Sequence, residues 1–206
     1  MTGATSSSGP GARGASDHVI RDRIIVAATE HFSRYGFDKT TVSDLANVIG
    51  YSKAYIYKFF DSKQAIGEAI CANCLEGITT AVDQSVAAGK TSSDQIRRMF
   101  RALVEASATL FSEDRKLYDI AAVAARDRWP VTQGFDAHLR ATLAQIVKHG
   151  RESGEFERKT PLDETVAAIF LVIQPYANPL LLQHNLDHAK DAAAQLASLI
   201  LRSLAP

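Results

Sequence analysis

The chain has 206 residues, of which 46% are hydrophobic, and its formal net charge is zero. This composition is sufficient for a buried core in one domain of ordinary size plus a smaller one. No apolar run of about eighteen residues predicts a transmembrane helix, the N-terminus lacks the pattern of a signal peptide, and two cysteines exclude a disulfide framework, so we expect a cytoplasmic protein.

Helical periodicity runs along most of the chain without strand-like alternation, and predicts an all-α protein of about nine helices. Residues 1–16 are rich in Gly, Ala and Ser and are predicted to form a disordered tail. The first helix is predicted over residues 17–35, with Ile24, Ala28 and Phe32 near one apolar face.

Residues 40–60 predict two short helices joined by a tight turn. Thr41 and Asp44 form an [ST]-x-x-[DE] capping box at the start of the first helix. Gly50 follows that helix where a left-handed residue is needed, and Ser52 can cap the next helix. The turn between them is therefore short, which is typical of a helix-turn-helix.

The outer face of the second hairpin helix is cationic and aromatic. Ile56 and either Phe59 or Phe60 are expected to face the core. The side chains left outside are those of Lys53, Tyr55, Tyr57 and Lys58. Between Asp44 and Asp61 the two lysines are the only charged residues, so no carboxylate opposes a phosphate there. Such a helix, held by a second helix, suits the DNA major groove.

The segment from Asp17 to Leu75 resembles the DNA-binding domain of the TetR family of bacterial transcriptional regulators. The resemblance rests on residue types at fixed offsets, which are Ile24, Ala27, Ala28, Phe32, Gly36, Phe37, Thr40, Thr41, Val42, Leu45, Ala46, Gly50, Ser52, Lys53, Ile56, Tyr57, Phe60, Ser62 and Lys63. Phe59 departs from the family, in which His is common at that position. Beyond Leu75 only the length and the helical layout are similar.

The resemblance implies a DNA-binding surface on the hairpin. Its residues would be Thr41, Ser43, Ser52, Lys53, Ala54, Tyr55, Tyr57, Lys58 and Lys63. The threonine and serine of the first hairpin helix would contact phosphate or the groove edge. The residues at 53–55 would reach base edges, since an ammonium pairs with guanine acceptors and a methyl group touches thymine. Those from Tyr57 onward would anchor phosphates.

The resemblance also implies a C-terminal domain for ligand binding and dimerisation. We place the hairpin domain at residues 17–63 and the second domain at 64–206. Its helices are predicted over residues 62–88, 94–112, 114–128, 130–153, 162–182, with breaks at Pro175 and Pro179, and 187–204.

A ligand pocket is implied among the middle helices of this second domain. Its lining would include Phe100, Leu103, Tyr118, Trp129, Phe135, Phe170 and Gln174. Aromatic side chains with few fixed charges favour an apolar or aromatic effector. Arg126 and Arg128 would favour an anion instead if they faced inward, and each large side chain is also a candidate for plain core.

The last two predicted helices are apolar over a broad arc, which predicts a homodimer. The residues of the arc are Val166, Ile169, Phe170, Ile173, Ala189, Ala193, Leu196, Leu199, Ile200 and Leu204. In the resembling family such helices pair across a two-fold axis. Burial within one chain is the alternative explanation.

No metal, cofactor or catalytic site is expected. Cys71 and Cys74 form a lone C-x-x-C pair, which we interpret as two structural thiols. His184 and His188 have i, i+4 spacing but lie at a predicted helix junction, so a metal site is not favoured.

We therefore expect a DNA-binding repressor that a small effector releases from its operator. The first alternative is a helical small-molecule-binding protein or enzyme with a structural hairpin, although G-x-S-x-G, G-x-x-x-x-G-K-[ST] and H-E-x-x-H motifs are absent. The second alternative is an adaptor whose aromatic hairpin binds another helix. A steep salt dependence would separate DNA binding from the adaptor.

Overall fold

The computed structural model describes residues 10–113 and 115–206, in which ten α-helices occur. They are α1 (Pro10–Tyr35), α2 (Val42–Ile49), α3 (Lys53–Ile56), α4 (Lys63–Ala87), α5 (Ser92–Glu113), α6 (Arg115–Arg126), α7 (Pro130–Glu152), α8 (Leu162–Ala177), α9 (Pro179–Leu182) and α10 (Ala189–Ser203), with a 3₁₀ turn at Leu186–His188. These ranges contain no strand, so the all-α prediction is confirmed. None of the described helices is both long and apolar enough to cross a membrane.

The helices divide into two compact units, of which the first ends at Ile70 and the second begins at Cys71. This division lies inside α4, whereas the sequence placed it between residues 63 and 64. The first helix starts at Pro10 rather than at residue 17, so part of the predicted tail is helical. The rest of that tail, residues 1–9, lies outside the described residues.

The first unit is held together by apolar side chains from all of its helices. Ile24 and Phe32 of α1, Leu45 of α2, Ile56 of α3 and Ile66 of α4 are completely buried. Burying a side chain of this size stabilises the fold by about 1.5–3 kcal/mol. These buried side chains therefore hold the hairpin to the other helices of the unit.

The second unit is organised around α5, which packs against α6, α7, α8 and α10. Its core includes Phe100, Leu103, Leu139 and Ile173, all without solvent exposure. The Glu155 carboxylate accepts hydrogen bonds from the first two backbone N–H groups of α5, at 3.0 Å each. This contact satisfies donors that a helix start leaves unpaired.

The stretch predicted over residues 162–182 forms two helices, and only one of its two prolines coincides with the break. Pro175 lies inside α8, and the break comes only at Asn178. The Asn178 side chain then caps α9 by accepting a hydrogen bond from the Leu180 N–H at 2.9 Å. Pro179 occupies the first position of α9, where its missing N–H has no helical partner to lose.

Most of the apolar arc on α8 and α10 is buried within one chain. Of the residues that predicted a dimer, all except Leu196 and Leu199 are buried. The reason is that α10 packs along α5, a contact that periodicity in α10 does not reveal. Leu171 and Leu199 stay 69% and 54% exposed, and they are the large apolar side chains that α8 and α10 leave open.

Candidate functional site

The hairpin begins with the predicted capping box. The Thr41 hydroxyl oxygen accepts a hydrogen bond from the Asp44 N–H at 3.2 Å, and the Asp44 carboxylate accepts from the Thr41 N–H at 2.8 Å. The same hydroxyl donates a hydrogen bond to the Asp44 carboxylate at 2.7 Å. This side-chain hydrogen bond, followed by the backbone one, lowers the pKa of Asp44. The Thr41 proton is thus used locally and is not presented to a phosphate.

Gly50 ends α2 in the left-handed conformation, with φ of 77°. Its N–H and that of Tyr51 both bond to the Ala46 carbonyl at 3.0 Å, which closes the turn. No atom lies within 4 Å of the place where a β-carbon would stand. Only the backbone conformation therefore requires glycine at this position.

Changing Gly50 to alanine is expected to lower the free energy of unfolding by about 1–2 kcal/mol, because an L-residue resists this conformation. Gly77, in the middle of α4, also has open space around its missing β-carbon, and its φ is ordinary. The matched change Gly77→Ala should raise stability by about 1 kcal/mol. Urea unfolding of both variants checks the pair, and a Gly50→Ala protein as stable as the parent would contradict the assignment.

The second hairpin helix is shorter than the sequence predicted. Ser52 caps it by accepting a hydrogen bond from the Tyr55 N–H at 3.1 Å, and α3 ends at Ile56. The N–H groups of Phe59 and Phe60 both bond to the Ile56 carbonyl, at 2.9 and 3.1 Å, so the chain continues as tight turns. Phe60 is the buried phenylalanine of this pair, and Phe59 is half-buried.

Most of the predicted DNA-contacting side chains are exposed. The exposed ones are Thr41, Ser43, Ser52, Lys53, Ala54, Tyr57 and Lys58, and the half-buried ones are Tyr55 and Lys63. The Lys63 ammonium donates to the Phe37 carbonyl at 3.0 Å and lies 4.3 Å from the centre of the Phe37 ring. One of its three N–H donors is therefore occupied inside the unit.

Three rings form a row along α3, which we call the aromatic row: Tyr51, Tyr55 and Phe59. Their centres are 5.0 and 5.3 Å apart, and neighbouring rings meet edge to face. The Lys58 ammonium lies 5.5 Å from the Tyr55 ring centre, and the Lys53 ammonium lies 5.9 Å from that of Tyr57. The result is an aromatic surface that carries positive charge and phenol hydroxyls.

Two arginines of α1, which sequence reasoning missed, lie against this hairpin. Arg21 donates to the Phe59 carbonyl at 3.0 Å, and its guanidinium lies 4.2 Å from the Phe60 ring centre. Arg23 lies 5.5 Å from the Tyr51 ring centre and 3.5 Å from the Tyr51 hydroxyl. Arg21 and Arg23 lie three residues and one residue before the buried Ile24. Their closeness to that core residue is the sequence signal that would have identified them.

A cavity of about 450 Å³ opens in the second unit. It is lined by Cys71, Leu75, Ala121, Ala125, Arg128, Thr132, Gln133, Phe135, Asp136, Ala177, Asn178 and Pro179. Its volume falls within the range of small-molecule sites, about 300–1,000 Å³. The cavity lies where the α6–α7 and α8–α9 junctions meet.

Only Phe135 of the side chains predicted to bind ligand lines this cavity. Phe100, Leu103, Tyr118 and Phe170 belong to the buried core of the second unit. Trp129 is also buried, and Gln174 is half-buried with an amide nitrogen that has no hydrogen-bond partner. Burial raises the pKa of Tyr118 to about 12, so its hydroxyl stays protonated and donates to the Pro179 carbonyl.

The cavity is lined by both apolar and charged side chains. Burial raises the pKa of the Asp136 carboxyl, and the charge of Arg140 partly offsets this effect. Arg128 is exposed at the cavity and has a left-handed backbone with φ of 54°, which an L-residue adopts at a cost of about 1–3 kcal/mol. Fixed charges therefore line this cavity, and one of them belongs to Arg128, which the sequence named as a residue that would favour an anion.

The lone cysteine pair is not joined by a disulfide, and Cys71 is buried beside the cavity. Within residues 10–113 and 115–206, no three His, Cys, Asp or Glu side chains are grouped as a metal site would require.

Sequence comparison finds two family matches. Residues 92–200 match the family described as tetracyclin repressor-like, C-terminal domain, and residues 24–70 match bacterial regulatory proteins, tetR family. The biofilm operon icaADBC HTH-type negative transcriptional regulator IcaR of Staphylococcus aureus is 35% identical over 63 residues. These residues cover 31% of this chain and 34% of that regulator, so the chain matches about a third of its length.

Solved structures share the fold over most of the chain. The TetR family transcriptional regulator PfmR of Thermus thermophilus is 25% identical, with a TM-score of 0.60 over 88% of this chain and 95% of PfmR. RolR, solved in complex with resorcinol, is 18% identical, with a TM-score of 0.62 over 93% of this chain and 90% of RolR. At that identity the second likeness concerns the fold alone.

Proposed function

The chain belongs to the TetR family of bacterial regulatory proteins, and from this premise we propose that it is a transcriptional repressor that binds operator DNA in the cytoplasm. The observation that carries the proposal is the exposed, positively charged aromatic face of the hairpin. The similarity to IcaR, a negative regulator by its description, supports repression. Membership of a family of regulatory proteins disfavours the alternative of an enzyme with a structural hairpin.

The exposed start of α3 would enter the major groove. Lys53 and Ala54 stand at its first two positions, where side chains reach base edges in helix-turn-helix proteins. Lys58, Tyr57 and the free hydroxyl of Ser43 would contact phosphates. Thr41 would serve mainly as a cap, because its proton is already donated to Asp44.

A homodimer would present two hairpins to two half-sites of the operator. Leu171 and Leu199, together with the half-buried Val172 and Leu196, give α8 and α10 an apolar outer face. Pairing these faces across a two-fold axis would remove apolar surface from water. Two linked hairpins would then read a palindromic operator together.

A small effector would bind the cavity of the second unit and weaken DNA binding. An aromatic or apolar body would pack against Leu75 and Phe135, and polar groups would meet Arg128 and Asp136. The resorcinol bound to RolR, a small aromatic diol, is an example of this chemistry on the same fold. Because α4 continues from the cavity into the first unit, a shift of α4 would couple the two sites, and effector and DNA would weaken each other reciprocally.

Selection of duplexes bound by the purified protein from a random-sequence pool tests the proposal directly. We expect an enriched palindrome, and binding to it that falls steeply with salt. Protein that enriches no sequence and binds no duplex at low ionic strength would rule the repressor out. Binding to a helical peptide with little salt dependence would favour the adaptor.

Changing Ala125 to phenylalanine is expected to make the repressor insensitive to effector. Ala125 lines the cavity, and a ring at this position would occupy space that the ligand needs. Operator affinity should stay within about twofold of the parent, because affinity for DNA depends on the phosphate and base contacts of the other unit. A collection of compounds that includes phenols is first screened for those that dissociate labelled operator from the parent protein. The measurement is whether the same compounds dissociate the operator from the variant.

Ala141→Phe is the matched control, since Ala141 is exposed on α7 and does not line the cavity. Its response to effector should equal that of the parent. A normal response from the Ala125 variant would show that the effector binds elsewhere. If no compound dissociated the operator from the parent protein, effector control would be contradicted.

A further inference from the structure

We propose that Arg21 and Arg23 of α1 bind backbone phosphates and extend the nucleic-acid surface beyond the hairpin. The inference rests on the proposed function, since it requires the aromatic row to face a duplex. Neither arginine lies in the hairpin, and the hairpin residues expected to contact DNA do not include them. Their assignment comes from contacts that only the folded unit creates.

Each guanidinium is positioned at one part of the hairpin, Arg21 at Phe59 and Phe60 and Arg23 at Tyr51. A guanidinium carries five N–H donors in a fixed fork, and each of these arginines uses one of them in the contacts described. The remaining donors are available as a pair for two oxygens of one phosphate, which is the geometry that arginine favours.

Both arginines are exposed, and neither forms an ion pair with a carboxylate in the described part of the chain. Asp22, the acidic residue between them, lies about 200° around the helix from Ile24 and so points away from the hairpin. In the described part of the chain, no ion pair therefore offsets the charge of either arginine.

Contact with aromatic rings orients both guanidinium groups before any ligand arrives. A charge that is already in place loses less conformational entropy on binding than a free surface lysine. Arg23 and Lys58 each lie within 5.5 Å of the centre of a ring in the aromatic row, so cations from both α1 and the hairpin adjoin it.

A purely structural role makes a different prediction. If Arg21 and Arg23 only support α3, their loss would weaken DNA binding without changing the number of counterions released. Phosphate contact instead changes the slope of log K against log salt concentration by about 0.9 per contact. The salt slope thus separates a phosphate ligand from a structural support.

The experiment measures polarisation of a labelled random-sequence duplex between 50 and 300 mM KCl, for the parent, Arg21→Gln, Arg23→Gln and the double variant. We expect each single change to reduce the slope by about 0.9, and so to weaken binding about eightfold at 0.1 M salt. The double variant should lose about 1.8 from the slope. Arg21→Lys and Arg23→Lys keep the charge and should keep most of the slope.

Arg97→Gln is the matched control, because Arg97 is exposed on α5 in the other unit and its substitution removes the same positive charge. Its slope should equal that of the parent, and thermal unfolding shows whether each variant folds. If Arg21→Gln unfolds, Arg23→Gln decides alone, since its described contacts involve only Tyr51. Unchanged slopes in folded variants overturn the inference while leaving the repressor intact, whereas a parent that binds no duplex overturns both.

Discussion

Operator binding is expected to weaken by about 10- to 100-fold when Lys53 is changed to alanine, and the fold should be unaffected. Lys53 is exposed at the first position of α3, and the contact described for its ammonium group is a distant one with the Tyr57 ring. Removing the side chain therefore costs the protein little. A good base contact in the major groove is worth about 1–3 kcal/mol, which sets the expected loss.

The character of the loss separates a base contact from a phosphate contact. Lys53→Ala should weaken binding to the selected operator more than to a random duplex, because it removes discrimination at one base pair. Lys58→Ala should weaken binding to both duplexes about equally and lower the salt slope by about 0.9. Polarisation with the two duplexes makes the comparison.

Lys90→Ala serves as the control, since Lys90 is exposed in the second unit and its described hydrogen bond comes from the backbone N–H. It should bind like the parent. If Lys53→Ala retained full affinity and full discrimination, the orientation of α3 proposed for the groove would be wrong.

The hairpin was predictable because its signals are local. The capping box at Thr41, the left-handed Gly50 and the cap at Ser52 each act on backbone groups within a few residues. Such interactions depend on residues that are close in the sequence, and the structure confirms all three of these predicted features. The end of α3 was less clear, because either Phe59 or Phe60 satisfied the helical spacing and only tertiary packing chooses between them.

The cavity was not predictable for a physical reason. We expected large aromatic side chains to line it, yet large side chains such as Phe100 and Phe170 fill space and become core. An empty volume forms where side chains are small, and here Ala121, Ala125 and Ala177 leave it. Sequence shows where small residues occur but not where several of them meet.

The apolar arc on α8 and α10 was predicted as a feature of the sequence, but its partner was not. Their periodic apolar residues identify helices with a buried face, but periodicity does not say whether that face meets the same chain or a second copy. In the structure, most of these apolar residues are buried within one chain, where both helices pack against α5, whereas Leu171 and Leu199 remain exposed. The proposed dimer therefore depends on a much smaller apolar surface than the sequence indicated.

Changing Leu171 and Leu199 together to glutamate is expected to produce a monomer that has lost operator binding by about 10²–10⁴-fold. Both side chains are exposed in the single chain, so the protomer should remain folded. Four buried carboxylates would oppose pairing of the α8 and α10 faces. Once the halves separate, each hairpin binds its half-site alone and the gain from linkage, about 10²–10⁴-fold, disappears.

Sedimentation velocity reports the oligomeric state, and polarisation with the selected operator reports the affinity. Leu181→Glu is the control, because Leu181 is 42% exposed but lies on α9, outside the proposed interface. That variant should remain dimeric and bind normally. A double variant that stays dimeric would place the interface on another surface, and a monomer that binds the operator as tightly as the parent would show that the hairpin acts alone. Loss of dimer and operator binding together, with random-duplex binding per hairpin retained, is the result that the proposed architecture requires.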